Sequence, residues 1–167
     1  MTSYKGSWIV FGTLLLFALV FMLGTAAGLP PVVASHFDAA GYPNAFMPRA
    51  GYLRFVLALG LGMPVAIVAV LTAVYSRASN LKVPNRDYWL APERIAGTRA
   101  FLVAHGVWFG SLMVLLICFM HWLELKANRL ALPHLSNEAF GLGMVVFLIG
   151  MALWIGALMV AFRRTKR

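Results

Sequence analysis

Four long apolar runs alternate with short polar connections along this chain. Uncharged stretches lie between Lys5 and His36, Arg54 and Arg77, Arg99 and His121, and Glu138 and Arg163. At 1.5 Å per residue, each is long enough to cross about 30 Å of hydrocarbon. The pattern predicts helices over about 8–28, 52–75, 98–125 and 138–162, in one domain spanning residues 1–167. The first run is longer than the apolar core of a signal peptide and three comparable runs follow it, so it reads as an uncleaved membrane segment. The expected fold class is an all-α membrane protein, a four-transmembrane-helix bundle.

Punctuation between the runs supports this division. Pro30 and Pro31 stop the first helix because neither can donate a backbone hydrogen bond. Turn chemistry recurs at Gly41-Tyr42-Pro43-Asn44 and around Pro48. Pro64 lies inside the second run and predicts a kink there. Small-xxx-small spacings at Gly24/Gly28 and Gly106/Gly110, with Gly141, Gly143, Gly150 and Gly156 in the fourth helix, suit close helix approach. They point to a membrane-protein partner or a homo-oligomer formed through glycine-rich faces.

Composition agrees with the pattern: of 167 residues, 62% are hydrophobic and 11% charged. Soluble domains carry about 25% charged residues. The net charge of +9 does not imply nucleic acid, because the basic residues cluster at helix ends and in short connections. The head, the Ser76–Arg99 connection and the tail hold ten Lys and Arg, against four in the other two connections. Positive residues favour the cytoplasmic side. Both termini are therefore expected in the cytoplasm, and the connections carrying His36 and His134 outside. The single cysteine, Cys118, allows no intramolecular disulfide or thiolate cluster.

That layout gathers His36, Asp38, His121, Glu124, His134 and Glu138 near the outer membrane face. His36, Phe37, Asp38, His121 and His134 are candidates for binding an outer ligand or partner. His36, His121, His134 and Glu138 are candidates for a divalent metal, which takes imidazole nitrogen and carboxylate oxygen, although no HExxH spacing is present. The alternative is that these histidines hydrogen-bond to loop carbonyls. His105 falls inside the bilayer, where a polar group needs a partner; an interhelical hydrogen bond is the simpler reading. His105 and His121 differ by about 160° in direction and about 24 Å in height on one helix. They cannot share a haem, and no cofactor is predicted.

Asn85, Arg86, Asp87, Tyr88, Trp89, Glu93 and Arg94 form a candidate interaction loop on the cytoplasmic side, mixing both charges with interfacial aromatics. The alternative is anchoring at the membrane boundary. No phosphate-binding glycine loop, nucleophile elbow or paired catalytic carboxylate motif occurs, so no catalytic residues are assigned.

Two segments carry a family resemblance. Leu29-Pro30 through His36-Phe37 and Gly41 resembles the Leu-Pro…His-Phe…Gly loop of a bacterial membrane domain of unknown function, which also forms the N-terminal part of SdpI-type immunity proteins. Val83 to Arg94, VPNRDYWLAPER, is similar to the cytoplasmic loop of small four-helix members of that group. The resemblance implies a location in the bacterial cytoplasmic (inner) membrane. The expected function is that of a non-catalytic membrane binding protein in which the His36 loop meets an envelope ligand or partner, and the resemblance implies an immunity-like or signalling-like role for it. Two alternatives stand beside it: an accessory subunit of a larger membrane complex, and a metal-dependent membrane enzyme.

Overall fold

The computed structural model describes residues 4–77 and 81–163. Arg164, Lys166 and Arg167 of the basic tail lie outside the described residues. The chain is mostly helical, and four helices are long and apolar enough to cross a membrane. In order, they are α1 (Lys5–Ala26), a helix running from α2 (Arg49–Leu57) through a π-helical segment (Ala58–Gly62) into α3 (Met63–Arg77), α5 (Ile95–Ala127) and α6 (Asn137–Arg163). A short α4 (Arg86–Trp89) precedes α5. The helices begin one to three residues earlier than their apolar runs predict. Polar residues at the ends, such as Lys5, Arg49 and Asn137, continue the helical geometry without changing the core.

Pro64 acts through the backbone before it. Its ring displaces the carbonyl four residues earlier, that of Gly60, and it has no N–H to offer. The widened π-helical turn at Ala58–Gly62 absorbs the mismatch. A Cβ on Gly60 would strike the end of Met22, so the bare backbone lets α1 close against this segment.

The long α5, about 50 Å from end to end, is the central helix. α1 and α3 pack along it, and α6 packs chiefly against it. The Gly106/Gly110 face meets Leu71, Val68 and Phe11, and is consumed within the chain. Phe119 fills the space over Gly143 of α6. By contrast, Gly24, Gly141 and Gly156 have no atom of the described residues within reach of an added Cβ. α6 has one buried residue, Phe162, and shows an apolar surface including Leu142, Val146, Leu153 and Val160. That surface would be costly in water and suits hydrocarbon.

The connection after α1 is an antiparallel β-hairpin, which the turn signals alone did not predict. β1 (Val32–Phe37) pairs with β2 (Pro43–Pro48), with a bulge at Ser35 between Ala34 and His36. The Asp38 Oδ1 accepts from the N–H groups of Ala40 and Tyr42, both at 2.9 Å, and closes the turn. Gly41 sits there at φ +86, with the Leu135 carbonyl 2.5 Å from where a Cβ would be. The Leu135 N–H donates back to the Gly41 carbonyl at 2.9 Å, tying the turn to the α5–α6 connection.

Candidate functional site at the hairpin end

One face of α5 carries His121, Glu124 and Asn128, spaced i, i+3 and i+7, so all three point the same way. This stripe organises the hairpin end of the molecule. Asn128 at the helix C-terminus does the work of a partner strand for β1. Its Oδ1 accepts from the Ala34 N–H at 2.8 Å, and its Nδ2 donates to the Ala34 carbonyl at 2.9 Å. The same Nδ2 donates to the Glu124 carbonyl at 2.9 Å.

Two turns deeper, His121 is completely buried between α1 and α2. Its Nε2 lies 2.9 Å from the Thr25 hydroxyl of α1, and its Nδ1 lies 2.7 Å from the Tyr52 hydroxyl of α2. Tyr52, 1% exposed, also hydrogen-bonds to the Glu124 carboxyl. Thr25 donates its own proton to the Phe21 carbonyl at 2.6 Å. The Phe21 ring packs edge-on against the imidazole, and the Tyr52 ring lies nearly parallel to it. Four side chains from three helices thus form one continuous chain of hydrogen bonds.

Glu124 is half-buried, and it lines a cavity of about 630 Å³. The polar lining is completed by Ser35, His36, Asp38 and Asn137, and the apolar walls include Phe37, Met120 and Phe140. Of the outer candidates, His36, Phe37 and Asp38 meet here. His121 does not reach the cavity lining, because its ring is enclosed by Thr25, Phe21 and Tyr52. His134 is exposed and packs against Tyr42 at the hairpin turn, 5.1 Å between ring centroids. Glu138 is exposed in the first turn of α6. Among the described residues, no three His, Cys, Asp or Glu side chains are placed to hold a metal ion. The four metal candidates from the sequence are therefore not brought together.

At the opposite end, the Asn85–Arg94 segment folds back onto α6. Asn85 Nδ2 and Trp89 Nε1 both donate to the Phe162 carbonyl, at 3.0 and 3.1 Å, capping a helix end whose last carbonyls lack intrahelical partners. Thr98 Oγ1 donates to the Trp89 carbonyl at 2.8 Å, and the Arg94 guanidinium lies 4.0 Å above the Tyr88 ring. Anchoring explains Asn85, Tyr88, Trp89 and Arg94, whereas Arg86, Asp87 and Glu93 remain exposed. His105 is buried and stacked against Trp154, 4.3 Å between centroids, and Trp154 Nε1 donates to the His105 carbonyl at 2.9 Å. The interhelical contact thus runs through the His105 ring face and backbone, while its Nε2 has no hydrogen-bond partner among the described residues.

Sequence reasoning listed His121 but missed Tyr52, Thr25 and Asn128 as members of the site. The one available signal was the shared α5 face of His121, Glu124 and Asn128. Comparison with known proteins adds no relatives: the chain matches no family model, no curated protein and no solved structure.

Proposed function

We propose that this chain is a non-catalytic multi-pass protein of the bacterial inner membrane that binds an envelope ligand on its outer side. Both termini lie in the cytoplasm, and the hairpin faces outward. The observation carrying this reading is the cavity between the hairpin and the α5–α6 pair. The Asp38 carboxylate, the Glu124 carboxyl group, the Asn137 amide and the His36 imidazole stand over walls of Phe37, Met120 and Phe140. Hydrogen-bond acceptors above an apolar floor suit an amphipathic ligand with a basic group, such as a segment of a cationic peptide. The immunity-like role implied by the loop resemblance belongs to the same reading. The exposed Arg86, Asp87 and Glu93 would carry the contact with a cytoplasmic partner.

Calorimetry on protein in zwitterionic nanodiscs tests this, using an amphipathic lysine-rich peptide and its glutamate-substituted counterpart. The expected result is binding of the basic peptide alone, weakened at least about tenfold by combined His36→Ala and Asp38→Asn changes, equivalent to about 1.4 kcal/mol. Equal binding of both peptides, or no effect of the substitutions, refutes the proposal.

A second reading, an accessory subunit of a larger membrane complex, is favoured by the bare surface of α6 around Gly141 and Gly156. A mass measurement in mild detergent separates the two: a stable complex lost on Gly156→Leu supports the subunit, and a lone monomer supports the receptor.

A further inference from the structure

We infer that Glu124, Tyr52 and His121 form a proton-storing relay that loads from the hairpin-side cavity. Each hydroxyl in this chain of contacts has a single proton to give. We assign the Thr25 hydroxyl proton to the Phe21 carbonyl, the shortest of its contacts at 2.6 Å, so its oxygen accepts from His121 and Nε2 carries a hydrogen. Tyr52 also has one hydroxyl proton but bonds to two groups, His121 Nδ1 and the Glu124 carboxyl. One of those neighbours therefore donates to it, and with Thr25 turned to Phe21 only two arrangements satisfy every contact. Either Glu124 is a carboxylic acid and His121 is neutral, or Glu124 is a carboxylate and His121 is an imidazolium. Both forms hold one proton more than a carboxylate beside a neutral imidazole.

The two forms interconvert without heavy-atom movement. Glu124 passes its acid proton to the Tyr52 oxygen while Tyr52 passes its own to Nδ1. The O–H bonds at Glu124 and Tyr52 break, new O–H and N–H bonds form, and no electrons leave the system. If the extra proton is lost, Tyr52 donates to the carboxylate, Nδ1–H donates to Tyr52, and the Thr25 hydroxyl turns from the Phe21 carbonyl to Nε2. Proton loss is thus marked on α1 by that turn of the Thr25 hydroxyl, while the contacts among α1, α2 and α5 persist. Because His121 is enclosed, exchange with the outside runs through Glu124, which lines the cavity.

Other titratable or charged groups nearby have separate roles. His36 and Asp38 line the cavity, and Cys118 sits one turn away in the apolar cluster. Arg49 donates to the Ala27 and Leu29 carbonyls, and Arg129 lies beside Gly28. Among the described residues, Tyr52 is the hydrogen-bond partner of the Glu124 carboxyl. The relay stands whichever ligand the cavity takes.

The test uses the full chain in lipid nanodiscs, with protons as the only titrant. Infrared spectra read the Glu124 acid carbonyl, assigned by its loss in Glu124→Gln. ¹⁵N-histidine spectra read His121, with His36→Gln and His134→Gln to clear the exposed signals. The acid band and the imidazolium signal should together account for one proton at about pH 6 and disappear with a single midpoint as pH rises. Tyr52→Phe should split that transition into two independent ones. A Glu124 carboxylate coexisting with a neutral His121 at about pH 6 in the unsubstituted protein overturns the relay. That measurement decides even if Tyr52→Phe does not fold. A folded Tyr52→Phe protein with an unchanged joint transition also overturns it.

Discussion

Replacing Asn128 by alanine measures what holds the hairpin against the helices. The side chain is 8% exposed and serves both backbone groups of Ala34, itself fully buried. Its third bond, to the Glu124 carbonyl, is expendable because the Asn128 N–H already satisfies that carbonyl at 2.9 Å. Two estimates bracket the loss. Side-chain hydrogen bonds in a membrane protein average about 0.6 kcal/mol each, which gives about 2 kcal/mol for three. Counting orphaned groups instead, at about 1–3 kcal/mol for each buried polar group left unmade, gives about 2–6 kcal/mol for the Ala34 N–H and carbonyl.

Because Ala34 has no exposed surface, the second count governs, and Asn128→Ala is expected to cost about 3–4 kcal/mol. Asn128→Asp separates geometry from volume. It keeps an acceptor for the Ala34 N–H but sets oxygen against the Ala34 carbonyl, so it should be at least as damaging. Steric-trapping measurements of unfolding in bicelles give both values. An alanine variant within about 0.5 kcal/mol of the parent, the range of an ordinary surface change, refutes this account of the hairpin.

Three further outcomes are expected. Gly41→Ala should destabilise the hairpin by about 2 kcal/mol or more, since it combines a left-handed backbone with a clash on the Leu135 carbonyl; protease sensitivity confined to residues 38–43 would report it. Trp89→Phe and Asn85→Ala should each cost about 1 kcal/mol or less, but the pair should cost more than the sum, because only then does the Phe162 carbonyl lose both donors; a double-mutant cycle measures the difference. Gly110→Leu should cost about 1–3 kcal/mol by driving into Val68 and Phe11, a penalty Gly156→Leu, with open space at its Cβ, should escape; thermal melts of the two variants in detergent compare them.

The four helices were legible because span length is a one-dimensional property: uncharged runs bounded by Lys, Arg, His and Glu mark them directly. The hairpin was hidden by its prolines, which normally argue against strands. Here Pro43 and Pro48 stand at the two ends of β2 and Pro31 precedes β1, positions where a missing N–H is tolerated. The site was legible in depth but not in direction. Sequence put His121 and Glu124 at the same level as His36, but the direction each faces depends on the rotation of α5. That rotation is fixed far away, where Gly106 and Gly110 admit Leu71, Val68 and Phe11. Tyr52 stood in the sequence only as the start of the second predicted helix and Thr25 only inside the Gly24/Gly28 spacing, because nothing local distinguishes a buried hydroxyl from an exposed one.

The stripe on α5 also separates two functions that proximity would otherwise confuse. Asn128 holds the hairpin, and the hairpin supplies Ser35, His36, Phe37 and Asp38 to the cavity. The His121 network, in contrast, is built wholly from α1, α2 and α5, with no atom from the hairpin. Undocking β1 should therefore abolish ligand binding while leaving the Thr25–His121–Tyr52 bonds in place. In Asn128→Ala, the ¹⁵N signals of His121 should keep their positions as calorimetric binding of the basic peptide disappears. Loss of both together would mean that the hairpin, and not helix packing, keeps His121 enclosed.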